Sequence, residues 1–375
     1  MNERQNPKDW NLLDTLLSGL MNIHEVGGSS LHSASIGELC DTVLASACDL
    51  SGAARGSLML FDENRCELRI AASRGITQEV VDTLALKPGE GVAGMAFETG
   101  ESIIIRDPKK HPDYVGYYGR PEQKEPFIAI PVRTRERVFG VLNLHLGQNS
   151  IPEGDYRLKM LSVLAAKAAL SIENLRLHGT LQNFYMEMVE TLARTIDAKD
   201  SYTHDHAGRA RRKARRIAEV LKLPDAMIRQ VEYAALLHDI GKIGVREAIL
   251  LKPGKLTDEE YQEIKKHPVI GYQILSPVAF LNQVSQMVLY HQERFDGRGY
   301  PEGITGKAIP LGARIVSTID AWDAMVSDRP YRKAMKRDTA LGELRGGSGA
   351  QFDPDVVKVF MHLERTEWKS ETQGK

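Results

Sequence analysis

The chain has 375 residues, 42% of them hydrophobic and 26% charged, with a formal net charge of −1. That length holds two domains at ~150 residues each, and the balanced charge gives no reason to expect a nucleic-acid polymer or an anionic membrane surface as partner. The three cysteines, Cys40, Cys48 and Cys66, are odd in number and form no CxxC pair, which argues against a disulfide framework and fits a reducing cytoplasm.

The first predicted element lies within residues 1–33. Its apolar stretch from Trp10 to Ile23 is broken by Asn11, Asp14 and Ser18, so it is too short and too polar to span a bilayer. Leu13, Leu16, Leu17, Leu20 and Met21 keep a helical spacing. This predicts an amphipathic helix for packing or dimerisation in preference to one lying on a membrane surface, because its polar side is not basic.

Residues 34–153 read as mixed α/β. Ile36, Leu39, Cys40, Val43, Leu44 and Ala47 lie on one face of a helix. The strand-like runs "GSLMLFD", "CELRIAAS", "SIIIRD" and "FIAIPVRTRERVFGVLNLHL" follow, the last as a hairpin around Thr134 to Arg137. Between them, residues 84–102 read as a loop, a short helix starting near Gly91, and a turn.

Residues 154–198 change pattern. They contain no proline, and Leu158, Leu161, Leu164, Ala165 and Ala168 through Leu177, Leu181, Phe184, Met188 and Leu192 sustain helical spacing. A pattern this long predicts a connector or coiled-coil helix. From there to residue 365, apolar periodicity stays helical between Gly/Pro loops. The second half, residues 185–375, is therefore expected to be all-α.

Of the 11 histidines, His206, His238, His267 and His291 fall in the helical half, each beside further polar residues. His238 and Asp239 interrupt the apolar run "YAALLHDIGKIG", where two polar groups need partners. For that pair alone, a buried hydrogen bond stabilising a helix end is an equally good reading. Four imidazoles together with carboxylates form a donor set for iron, manganese or zinc. An aspartate can bridge two such ions ~3.5–4 Å apart in sites that hydrolyse phosphate esters. Asp320 and Asp323 add carboxylates at i and i+3 of another apolar helix.

The ordered set "LLHDIGKIG", "HPVIGYQIL", "HQERFDGRGYPEGI", "RIVSTIDAWDAMVSDRPYRKA" and "GSGAQFDPDVV" resembles the HD-GYP family, a branch of the metal-dependent HD phosphohydrolases. The first half resembles a GAF domain. The resemblance implies a multidomain α and α/β chain: an N-terminal GAF-like α/β/α domain, a long connector helix and a C-terminal all-α HD-type helical domain. It implies hydrolysis of cyclic di-GMP to the linear dinucleotide, to GMP or to both, under GAF control. Carried over residue by residue, the metal ligands are His206, His238, Asp239, His267, His291 and Asp320, with Asp239 as the bridge. Lys242 would reach the scissile phosphate or its leaving oxygen; Arg329 and Arg332 would bind phosphates, and Asp323 would line the same pocket. A lysine and two arginines suit a cyclic dianion and an in-line transition state.

Gly297, Gly299 and Pro301 would fix a turn, and the loop of Gly299, Tyr300 and Pro301 has a GGDEF-domain protein as its implied partner, with a purely structural turn as the competing reading. Many relatives carry a second histidine where Gln292 stands, and some a glutamate where Tyr202 stands. Neither Gln292 nor Tyr202 is a good ligand, so two divalent transition metals per chain, iron or manganese, are expected, with Gln292 hydrogen-bonded behind them. His204 is expected to be an exposed loop residue. The GAF half lacks a cyclic-nucleotide signature, so its ligand stays unassigned. A parallel homodimer through the connector helix completes the expectation. The alternative from a different class is a weak or inactive module that retains metal or nucleotide and signals through contacts.

Overall fold

The computed structural model describes residues 7–28, 35–107, 126–146, 156–199, 206–328 and 333–368. They divide into two compact units, residues 1–181 and 182–375.

The first unit opens with α1 (Pro7–Gly28) and α2 (Ile36–Ser51). Ser35 begins α2 with a capping box, its hydroxyl accepting from the Glu38 amide while Glu38 accepts from the Ser35 amide. This satisfies two helix-end donors, worth about 1 kcal/mol. Gly52 closes the helix at φ 72°, a left-handed conformation that favours glycine. There follow β1 (Arg55–Asp62), β2 (Glu67–Arg74), α3 (Gln78–Thr83), β3 (Ala85–Leu86), α4 (Gly91–Thr99), β4 (Ile103–Ile105), β5 (Phe127–Arg133) and β6 (Val138–His145). The six strands form one antiparallel sheet in the order β3-β2-β1-β6-β5-β4.

Side chains alternate across the sheet. Leu142 and Leu144 join Leu39, Val43, Leu161, Leu164 and Ala168 in one core, while Val141 joins Met59, Val92, Ala96 and Phe127 in the other. The sheet is thus covered by helices on both faces. At Gly140 a Cβ would lie 1.9 Å from the Met59 carbonyl oxygen, so only glycine permits that strand approach. The predicted hairpin is present, with the Thr134 amide donating to the Arg137 carbonyl. Two elements correct the expected set: α3 and the two-residue β3, the latter inside the stretch expected to be a loop. Six and two residues are too few to carry a readable period.

Helix α5 (Tyr156–Lys199) is continuous over 44 residues. Leu161, Leu164, Ala165, Ala168 and Ile172 bury one side of it in the first unit, and Val189, Ala193 and Ile196 do so in the second. Between these stretches Leu177, Leu181 and Phe184 are 61%, 45% and 57% exposed. No helix among the described residues is long and apolar enough to cross a membrane.

The second unit continues with α6 (His206–Val220), α7 (Asp225–Leu237), a 3₁₀ turn (Ile240–Gly244), α8 (Glu247–Leu250), α9 (Asp258–Ile264), α10 (His267–Leu275), α11 (Asn282–Tyr290), α12 (Leu311–Val326), α13 (Arg337–Gly346) and α14 (Pro354–Thr366). Its core runs through Ala214, Ile217, Val231, Leu237, Val288, Ile319 and Phe360. Trp322 and Trp368 pack on the Phe360 ring at 5.1 and 5.3 Å between centroids. No named strand occurs among the described residues of this unit, as the helical periodicity predicts.

Candidate metal centre

The last carbonyls of an α-helix have no partner within the helix. In the second unit, imidazoles fill that vacancy three times. His238 directly follows α7 and its Nδ1 lies 2.9 Å from the Ala235 carbonyl. His267, three residues beyond α9, has Nδ1 2.8 Å from the Ile264 carbonyl. His291 directly follows α11, with Nδ1 2.7 Å from the Val288 carbonyl. A carbonyl can only accept, so each Nδ1 carries a proton, and in the neutral ring Nε2 presents a lone pair on the opposite side.

The three rings converge. His267 Nε2 and His291 Nε2 are 3.2 Å apart. Asp239, the residue before the 3₁₀ turn, places Oδ1 3.6 Å from His267 Nε2 and Oδ2 3.4 Å from His238 Nε2. Asp320 of α12 brings Oδ1 to 3.9 Å from His238 Nε2. Ligand atoms of Asp239, His267 and His291 all fall within 4.8 Å of one another. Gly241 makes this convergence sterically feasible: a Cβ there would sit 1.8 Å from the His267 carbonyl oxygen.

His238, His267 and His291 are all buried, and their electrostatics divide. Burial and the neighbouring imidazoles push His291 down to about 3. Burial also lowers His267, against the pull of Asp239. Burial acts on His238 in the same sense, but Asp239 and Asp320 override it and lift it to about 9. Burial would raise Asp239, yet Lys242, His238 and His267 hold its carboxyl well below the usual carboxylate range.

The donor set fits a divalent transition metal. Two lone pairs 3.2 Å apart repel unless a cation lies between them, and the depressed basicity of His267 and His291 leaves Nε2 of each without a proton. Neutral imidazoles with an ionised carboxylate are borderline donors suited to iron, manganese or zinc. The backbone carbonyls behind the rings orient them, as outer partners of metal-bound histidines do.

Other anticipated residues surround this cluster. Lys242 Nζ lies 2.8 Å from Asp239 Oδ2. Gln292 donates from Nε2 to Asp320 Oδ2 at 3.3 Å. Asp323, one turn on from Asp320, is buried with Oδ2 3.6 Å from Arg209 Nε on α6. The Gly299–Tyr300 segment folds back on the end of α11. The Tyr300 amide reaches the Gln292 carbonyl at 3.3 Å, and Glu293 Oε1 accepts from the Glu302 and Gly303 amides, both at 2.8 Å. Pro301 is exposed, whereas Tyr300 is half-buried. Burial raises the Tyr300 hydroxyl, and the charges of Asp320 and Asp239 raise it further. That proximity is invisible in the sequence, where Tyr300 is twenty or more residues from every anticipated carboxylate ligand. His206 opens α6, but its side chain, like Tyr202, His204, Arg329 and Arg332, lies outside the described residues.

Comparison with known proteins accounts for both units. A GAF domain model matches residues 33–173 and an HD domain model matches residues 190–356. The chain is 38% identical over 239 residues to the cyclic di-GMP phosphodiesterase response regulator RpfG of Xanthomonas campestris, covering 63% of this chain and 60% of that protein. It is 40% identical over 188 residues to a cyclic di-GMP phosphodiesterase of Thermotoga maritima, covering 49% and 50%. A 3′3′-cGAMP-specific phosphodiesterase of Vibrio cholerae is 38% identical over 184 residues, covering 49% and 40%. The matches thus span about half the length of these relatives.

Proposed function

Because the chain carries a GAF domain followed by an HD domain, we propose that it is a metal-dependent phosphodiesterase that hydrolyses cyclic di-GMP, to the linear dinucleotide, to GMP or to both, under control of the GAF domain. The observation that carries this reading is the convergence of Asp239, His267 and His291 with their nitrogen lone pairs turned inward. The names of the relatives supply the substrate.

His206, His238, Asp239, His267, His291 and Asp320 would hold two ions, iron or manganese, with Asp239 shared. Such a pair supplies Lewis acidity and charge neutralisation at a phosphodiester when bound. The protein's own groups do the rest. Lys242, paired with Asp239 at 2.8 Å, exchanges that carboxylate for a phosphate oxygen and supports charge on the leaving oxygen. Arg329 and Arg332 bind the phosphates of the dianion. Asp323 shapes the substrate side of α12 through Arg209. Gln292 holds Asp320 in place through its amide and is not itself a ligand.

The exposed row Leu177, Leu181 and Phe184 of α5 supports a parallel homodimer in which each copy covers the row of the other. The exposed Pro301 edge of the loop with Gly299 and Tyr300 is the surface assigned to a GGDEF-domain protein. A reducing cytoplasm is the assigned compartment, consistent with free Cys40, Cys48 and Cys66.

One residue favours the second reading, a weak or inactive module that signals by contacts. Gln292 stands where a further imidazole would complete a larger metal cluster. The deciding experiment measures turnover of cyclic di-GMP, with 3′3′-cGAMP in parallel, by the full chain loaded with Mn(II) or Fe(II) and by the chelated chain. Metal-dependent hydrolysis of cyclic di-GMP is the expected result. Tight nucleotide binding with no turnover under either metal selects the second reading, and preference for 3′3′-cGAMP changes the substrate.

A further inference from the structure

Helix α5 does not end freely. Its final residue, Lys199, places its ammonium against a single turn of main chain: Nζ lies 2.8 Å from the Ile243 carbonyl, 3.0 Å from the Val245 carbonyl and 3.3 Å from the Lys242 carbonyl. An ammonium has three N–H donors, and all three have acceptors here. The turn it grips is the 3₁₀ segment Ile240–Gly244, which follows His238 and Asp239 directly.

That turn is held well at its two ends and poorly in its middle. Ile240 and Gly241 are buried at its start and Val245 is buried beyond its end. Between them the Ile243 side chain is 54% exposed. The backbone bonds in this stretch are local, from the Lys242 amide to the Asp239 carbonyl at 2.9 Å and from the Val245 amide to the Lys242 carbonyl at 3.0 Å. A 3₁₀ turn this short has weak hydrogen-bond geometry of its own. Lys242, which sends its side chain to Asp239 Oδ2 at 2.8 Å, therefore sits on the part of the turn that depends most on an outside support, and Lys199 supplies it.

We propose that Lys199 is a positioning residue that ties the end of α5 to the turn carrying Lys242, so that a change in α5 reaches the metal centre through the aim of Lys242. Helix α5 begins at Tyr156 and contributes Leu161, Leu164 and Ile172 to the core of the first unit. The tether thus offers the sensory half a route to one catalytic group through the helix and its terminal hydrogen bonds, without requiring any metal ligand to move.

The test compares Lys199→Met, which keeps the aliphatic stem and removes the donors, with Lys199→Arg, which restores donors, in the full metal-loaded chain. Two readouts are taken: steady-state hydrolysis of cyclic di-GMP and amide hydrogen exchange across residues 240–245. K199M should lower kcat by ~10- to 100-fold, the range found when a support of a site group is lost, with KM changed by less than about 2-fold. Metal content and melting temperature should stay at their wild-type values. Exchange should quicken at residues 242–245 while residues 231–237 stay protected, and K199R should recover most of both effects. The kinetic readout rests on the phosphodiesterase reading; the exchange readout does not, so a wild-type chain without turnover would refute that reading and leave exchange to decide the tether. Unchanged kcat with unchanged exchange overturns the proposal. So does a loss of kcat that merely tracks lost metal or lost folded protein and is not rescued by arginine. If K199M does not fold, Lys199→Gln, a shorter donor, takes its place, with slower turnover and faster exchange at residues 242–245 as the required outcome.

Discussion

At the level of single residues, the centre is governed by where protons cannot be. Each of His238, His267 and His291 has its Nδ1 hydrogen committed to a carbonyl three residues earlier, so its chemistry is confined to Nε2. Asp239 faces two of those nitrogens and Lys242. Asp239→Asn replaces one anionic oxygen with an amide that cannot balance two cations. The variant should lose most of its bound metal and at least about 100-fold in turnover, roughly 3 kcal/mol on the barrier, while circular dichroism stays helical. Metal analysis beside an activity assay checks this, and a variant that keeps both refutes the bridging role. Gln292→Ala removes only the donor to Asp320. Turnover should fall by ~10- to 100-fold, as for other supports of metal ligands, and metal is expected to saturate near two per chain both in this variant and in the unaltered protein. A third fully retained ion, lost on this substitution, would make Gln292 a ligand after all.

At the level of elements, the middle of α5 leaves Leu177, Leu181 and Phe184 exposed. Light scattering at micromolar concentration should return the mass of two chains, and Leu177→Asp combined with Leu181→Asp should return the mass of one. A monomer in the unaltered chain would contradict the assigned dimer. This helix was among the most legible features of the sequence, because a period sustained over some forty residues leaves few alternatives. The same holds for the hairpin at Thr134 to Arg137 and for the apolar face of α2. Elements α3 and β3 were not legible, because their stability comes from neighbours in the sheet and not from their own pattern. Within the centre, His238, Asp239, Asp320 and Asp323 could be picked out as polar interruptions of apolar runs, whereas His267 and His291 stood out only through their polar neighbours and the family resemblance. The inward tautomers could not be read, since the carbonyl that fixes each one belongs to backbone geometry. Lys199 and Tyr300 were hidden for a related reason: the first acts through main-chain acceptors more than forty residues away, and the second approaches Asp239 and Asp320 only after the loop folds back on Gln292.

At the level of the whole molecule, the two units own separate cores, one built around the sheet and one around Phe360 and its neighbours. Only the second contains the cluster of Asp239, His267 and His291. A ligand that binds a folded unit stabilises that unit and leaves an independent one unaffected. Calorimetry of the metal-loaded chain should therefore show two transitions, and chelation should lower one of them while the other holds its temperature. A single transition that moves as a whole would mean that the units unfold together. The spacing of the proposed ligands carries a consequence for how the protein is made. His238, His267, His291 and Asp320 each terminate or belong to a different helix, strung along the chain in order, whereas every strand of the sheet precedes residue 146. Domains of a growing chain fold as they emerge, so the first unit can complete its sheet while the ribosome is still translating the second. The proposed metal site, by contrast, is not complete until α12 has left the exit tunnel. Any loading of the proposed site is thus expected late in biogenesis, and a nascent chain arrested before Asp320 should display a folded first unit without that site.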